Sequence, residues 1–273
     1  MTTADPALTV SRRRPDTRGL AKTLHDTWLF FARYQLQMLR NPMWVFVGFS
    51  APLLYLGLFT PLLKGISVRG VGGANVLDSF LPGILAMLAF GSGISAGFST
   101  IFELQAGVIE RFRVTPTSRL AILLGPIISG IVSTFVFDIV LIAVGYGFGF
   151  HVHIGGLLVL AVLIAVFMLS LASFSIATAL LTKDISSFAA VINGLNLPVI
   201  LLGGVLLSID TLGPEWMKVL AHFNPLYYLV AAARQLALGN LSGDALWHAF
   251  AVLVPLCVVA LAWATRVYRR AVS

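Results

Sequence analysis

The stretch Glu103–Arg119, ELQAGVIERFRVTPTSR, decides how this chain is read. It holds Glu103, Glu110, Arg111, Arg113 and Arg119 in a chain that is 58% hydrophobic and only 11% charged. On either side lie the apolar runs Phe80–Ile101 and Leu120–Phe150. Each exceeds the roughly 20 residues that a helix needs to cross a bilayer. Further runs of this kind are Met43–Leu63, Ile154–Leu181, Phe188–Leu207 and Ala245–Tyr268. A mean hydropathy of +0.94 over 273 residues lies outside the range of soluble domains. The short alternating segments of a β-barrel do not recur. The expected fold is therefore an all-α membrane protein with six transmembrane helices.

Charge gives the topology. With the N-terminus inside, only Lys64, Arg69, Lys218 and Arg234 of the 18 Lys and Arg residues fall in outer segments. Basic residues concentrate on cytoplasmic loops, so both termini are expected in the cytoplasm, and Glu103–Arg119 with them. The net charge of +7 is then topology and contact with anionic membrane lipid, not a nucleic-acid face. Residues 1–18 read as a disordered cytoplasmic tail with no cleavable signal. Residues 19–270 read as a single transmembrane domain. The lone Cys257 lies inside the last apolar run and leaves no intrachain disulfide or cysteine metal site.

Ahead of the first span, Leu20, Leu24, Trp28, Phe31, Gln35 and Met38 recur every three or four residues. That spacing predicts an amphipathic helix in the cytoplasmic interface. Asn41-Pro42 caps and starts the first span, Pro82 starts the second, and Lys183-Asp184 marks a tight inner turn. Residues 208–244 are too apolar for a loop and too broken to cross twice. Two short pieces, about 215–223 and 226–238, split by Asn224-Pro225, suit an outer re-entrant hairpin.

Several motifs also admit plainer readings. Gly93-Ile94-Ser95-Ala96-Gly97 matches a nucleophile-elbow pattern, but mid-span it reads as close helix packing. His151 and His153 lack a third ligand and read as interfacial polar residues. Asp138 lies inside the third span, where an interhelical hydrogen bond is the plainer reading and a substrate pathway the sharper one. Asn193 and Asn196 divide in the same way between helix glue and path lining. No metal site and no catalytic residue is expected. There is no G-x-x-x-x-G-K-[ST], so ATP chemistry would belong to another chain. On a helix, Glu103, Gly107 and Glu110 share one face, with Arg111 and Arg113 following, which suits docking of a soluble partner.

These residues resemble a known family. Glu103, Gly107, Glu110, Arg111, Phe112, Thr115, Pro116, Ser118 and Arg119 match the first cytoplasmic loop of type-2 ATP-binding-cassette exporter permeases. Pro198, Gly203-Gly204-Val205, Asn224-Pro225-Leu226, Tyr228-Leu229-Val230, Arg234 and Gly239 resemble the family's fifth span and outer hairpin. The likeness covers roughly residues 20–270 and is greatest to daunorubicin-resistance-type drug exporters. An acidic residue usual after the Tyr-Leu-Val stretch is alanine here, at Ala231 or Ala232.

The resemblance implies a permease dimer, with a second copy or homologue, above two ATPase subunits that bind ATP and magnesium. This chain itself would bind no cofactor. Glu103, Gly107, Glu110, Arg111 and Arg113 would couple to the ATPase, and Asn224, Pro225, Tyr228 and Arg234 would build the outer hairpin. The expected function is export of an amphipathic drug or lipid-like compound across a bacterial plasma membrane. The competing expectations are a proton-coupled secondary carrier and a polysaccharide or lipid-linked glycan exporter.

Overall fold

A computed structural model gives the fold and describes residues 20–64, 76–107, 119–151, 153–206 and 209–272. Ten helices cover most of the described residues, which include no strand. They are α1 (Leu20–Leu39), α2 (Pro42–Lys64), α3 (Val76–Gln105), α4 (Arg119–Gly147), α5 (Ile154–Thr182), α6 (Ile185–Leu202), α7 (Ile209–Leu212), α8 (Glu215–Ala221), α9 (Pro225–Ala237) and α10 (Asp244–Val272). Five of the described helices, α3 to α6 and α10, are long and apolar enough to cross a membrane. The tail 1–18 lies outside the described residues.

Helix α5 is the centre, with its widest interfaces against α3 and α10. It is apolar all round, the pattern of a helix surrounded by other helices. In a bilayer, lipid is as apolar as leucine, so packing and hydrogen bonds must hold helices together. The α3–α5 crossing uses both. A Cβ added at Gly97 would lie 2.8 Å from the Ser175 backbone oxygen, and one at Gly93 would lie 2.9 Å from Leu171. The approach lets Ser175 Oγ donate to the Ile94 carbonyl at 2.8 Å and accept from the Gly97 N–H at 3.1 Å. Ser95 instead donates to its own helix, at Ser92 O (2.7 Å). The packing reading of this motif therefore holds.

Two large apolar clusters, with a smaller one of Ile101, Ala179, Phe188 and Ile192, fill the bundle among the described residues. One, with Phe30, Ile127, Ile176 and Tyr268, joins α1, α4, α5 and α10. The other, with Leu81, Leu163, Leu229 and Leu253, joins α3, α5, α9 and α10. The two ends of the bundle are called below the α1 end and the α9 end.

Local expectations fared unevenly. Helix α3 begins at Val76, not at Pro82, because the first turn is held by buried Asp78. Its carboxylate takes the His151 N–H at 3.1 Å and lies 3.2 Å from His151 Nδ1. His153 Nδ1 lies 3.0 Å from the Ala237 carbonyl, so the two histidines serve separate contacts. No group of three or more metal-ligating side chains occurs among the described residues. A tight turn is present at Lys183-Asp184, as the sequence indicated. Lys183 adopts φ 54°, and Asp184 caps α6 by accepting from Ser187 N at 2.8 Å.

Candidate functional site

At the α1 end the site is built from α1 and the last turn of α3. The Tyr34 hydroxyl donates to Glu103 Oε1 at 2.6 Å, and Arg33 Nη2 lies 3.7 Å from the same oxygen. Burial, and then the Glu103 charge, raises the Tyr34 pKa, so the phenol remains a donor. Glu103 is thus turned toward α1 and only 18% exposed.

The helix then stops. Ala106 N donates to Phe102 O at 2.9 Å and Gly107 N to Leu104 O at 3.2 Å. Gly107 has φ +66°, the left-handed conformation that commonly ends helices and that glycine takes without a side-chain penalty. The expected common face of Glu103, Gly107 and Glu110 is therefore corrected. Gly107 ends one helix rather than sitting bare in the middle of another, and Glu103 faces the bundle. Glu110, Arg111 and Arg113 lie outside the described residues.

Helix α1 lies along the first half of α4. Gln35 Nε2 donates to Ser129 O at 3.1 Å, and Phe30 packs on Gly125. Its bundle face carries Asp26, Thr27 and Phe30, all buried, while Leu24, Trp28, Leu29 and Leu36 are exposed. The predicted stripe is split, because Leu24 and Trp28 point away from the protein and Gln35 and Met38 toward it. A lipid-facing amphipathic helix has this inverted pattern, with polar groups seeking partners in the protein.

At the α9 end, one side chain joins two helices. Buried Asn224 accepts from Leu226 N at 3.0 Å, capping α9, and donates from Nδ2 to Val199 O of α6 at 2.6 Å. Pro225 follows at the first helical position, where its missing N–H costs nothing. Arg234 Nη2 donates to Gly204 O at 2.6 Å, Tyr228 OH to His222 O at 3.0 Å, and Tyr227 OH to Asp210 Oδ1 at 2.6 Å. The four residues named for the hairpin thus lie at the start of α9 and along it, and Asn224, Tyr228 and Arg234 each make a separate hydrogen bond to a backbone carbonyl. Helices α8 and α9 match the two predicted pieces, and α7 precedes them. Ala232 is fully buried, and an acid there would have to be desolvated.

The intramembrane candidates do not assemble with either cluster. Asp138 is buried, and both its carboxylate oxygens lack a hydrogen-bond partner, as does Thr134 Oγ1 one turn earlier. The interhelical hydrogen bond expected of Asp138 is not made, because the face it shares with Thr134 and Leu141 packs among apolar groups. Asn193 is exposed and Asn196 half-buried on α6. Tyr34 and Asp210–Tyr227 were missed. Tyr34 had a signal, a phenol beside an arginine on an amphipathic helix, whereas Asp210 and Tyr227 are joined only by the fold.

The family model for ABC-2 type transporters matches residues 25–238. The chain belongs to the ABC-2 type transporter family. With its apolar helices, this makes it a multi-pass membrane permease. A putative transport permease of Cyanophora paradoxa is 29% identical over 215 residues, 77% of this chain and 73% of the relative. A daunorubicin resistance ABC transporter permease protein of Streptomyces coeruleorubidus is 23% identical, covering 69% of this chain and 66% of its own. A probable multidrug ABC transporter permease of Escherichia coli is 26% identical, covering 66% of this permease and 48% of its own length.

Proposed function

We propose that this permease is the membrane subunit of an ATP-driven exporter of an amphipathic drug or lipid-like compound, with ATP and magnesium bound on a separate ATPase subunit. The observation that carries the reading is the Tyr34–Glu103 contact at the head of segment 108–118, within a chain of this family. An ATPase seated on Glu110, Arg111 and Arg113 would pull on α3 and α1 together. In this reading α2 is the sixth span, α7–α9 form the outer re-entrant hairpin, and both termini face the cytoplasm of a bacterial cell. The single domain spans 19–270, and a second permease copy or homologue completes the pathway. The names of the drug-resistance relatives support the substrate class.

Inverted membrane vesicles holding the permease with a candidate ATP-binding-cassette ATPase subunit test this. They should accumulate daunorubicin only with ATP, and lose that accumulation in Glu110→Ala. Accumulation without any ATPase subunit would sink the proposal. Buried Asp138 favours a second reading, proton-coupled transport. That reading requires a proton gradient to drive uptake in wild type but not in Asp138→Asn.

A further inference from the structure

Helix α6 is held at its two ends and slack between them. Near the α1 end Phe188 is fully buried, edge-on to Phe98 with centroids 4.8 Å apart. Near the α9 end Val199 O takes the Asn224 amide. Between these points Ile192 is the buried residue, while Val191, Leu195 and Leu197 are exposed. Behind this stretch, between α6 and the body made by α3, α5 and α10, lies a cavity of about 240 Å³. Phe90, Phe167, Phe174, Leu195, Leu256 and Ala260 are among its walls.

Among the described residues, the hydroxyls on the wall already donate elsewhere. Ser170 donates to Val166 O at 2.7 Å and Ser175 to Ile94 O at 2.8 Å. Water entering would find no unpaired partner, and an apolar cavity of about 150 Å³ stays dry and takes up benzene instead. Left empty, the walls would forfeit dispersion contacts. Phe174, Leu195 and Leu256 are 40%, 48% and 38% exposed, so the cavity opens sideways on the bundle surface. Its walls are helices long and apolar enough to span a membrane, where the surrounding solvent is hydrocarbon.

We infer that this cavity binds one acyl chain of a membrane lipid, which fills the unpacked middle of α6 and props it away from the α3–α5–α10 body. A lipid tail fits better than a whole amphipathic compound, because the wall carries no charged group and no free hydroxyl donor among the described residues. The inference does not depend on export or on an ATPase.

The full-length permease is reconstituted in phosphatidylcholine vesicles containing a fraction of lipid with a mid-chain diazirine, irradiated, and mapped by mass spectrometry. Adducts should concentrate on Phe174, Leu195 and Leu256 relative to the exposed Val136 and Ile139 of α4. Ala260→Phe, which fills the cavity from α10, should abolish those adducts and leave the α4 adducts unchanged. If Ala260→Phe does not assemble, Ser170→Leu makes the same test from α5. Equal labelling at both places, or cavity labelling indifferent to the filling variant, overturns the inference. Displacement of the cavity adducts by daunorubicin also overturns it, since the cavity would then belong to the transported compound.

Discussion

The two ends of the bundle are tied in different ways. At the α9 end, side chains hold backbone carbonyls on α6 and the turn after it, with Asn224 on Val199 O and Arg234 on Gly204 O, each at 2.6 Å, beside the Tyr227–Asp210 pair. At the α1 end, the tie to α3 is side chain to side chain, with Tyr34 on Glu103 at 2.6 Å and Arg33 at 3.7 Å, while Gln35 holds the Ser129 carbonyl of α4. A carbonyl at a helix end keeps its place and its charge for as long as the helix exists. A phenol–carboxylate pair depends on two elements staying in register, and parts when either shifts. The α9 end is thus suited to a fixed frame and the α1 end to a moving joint.

The largest expected effect comes from the α3–α5 crossing on which both ends ride. Gly97→Leu drives a side chain into the Ser175 backbone oxygen, 2.8 Å from its first carbon, and overpacking of this kind costs about 1–3 kcal/mol or more. Size-exclusion chromatography should show loss of folded protein, and a wild-type yield and melting profile would break the shared frame. Next is Glu103→Ala. It leaves the Tyr34 hydroxyl buried without an acceptor, a loss of about 1–3 kcal/mol. Glu103→Gln keeps an acceptor and should recover most of the melting temperature. If both variants melt alike, the bond carries nothing.

Asn224→Ala sharpens the comparison from the other end. It removes a helix cap, worth about 0.5–2 kcal/mol. It should lower the melting temperature without changing how transport responds to the ATPase. The smallest effect belongs to Asp184. Hydrogen bonds from Ser186 and Ser187 hold its pKa down to about 2, from an ordinary 3.8. A depressed acid pKa stabilises the folded form above the unfolded value and loses that contribution as pH falls through the folded one. The α6 cap should therefore persist to about pH 4 and fade between 3.8 and 2. Hydrogen exchange at Ser187 would follow this, and Asp184→Asn, which keeps the acceptor, should remove the pH dependence.

Long elements were legible in the sequence because hydrocarbon thickness fixes their length. The runs Ile154–Leu181 and Ala245–Tyr268 fall within helices Ile154–Thr182 and Asp244–Val272. The Gly93/Gly97 packing pattern and the Asn224-Pro225 break were legible for a different reason, since each is a local steric rule. Which way a side chain turns was not. Glu103, Gly107 and Glu110 share a face only if the helix continues, and Gly107 ends it. Leu24 and Trp28 were legible as one apolar stripe with Met38, but their spacing could not say that Met38 would turn to Ser133 while they face outward. Asp138 reads as a hydrogen-bonding group from its cost alone, but sequence spacing cannot supply a partner on a neighbouring helix. The contrast between α5 and α6 was equally hidden. Both are apolar, yet α5 buries residues along its whole length and α6 buries only Phe188 and Ile192.

The most direct test is ATP hydrolysis by the reconstituted permease–ATPase assembly, with and without daunorubicin, in Glu103→Ala, Glu110→Ala and Asn224→Ala. The moving-joint account predicts that the two glutamate variants keep basal hydrolysis but lose its stimulation, while folded Asn224→Ala is stimulated like wild type. Full stimulation in both glutamate variants, or its loss in Asn224→Ala alone, would contradict the account.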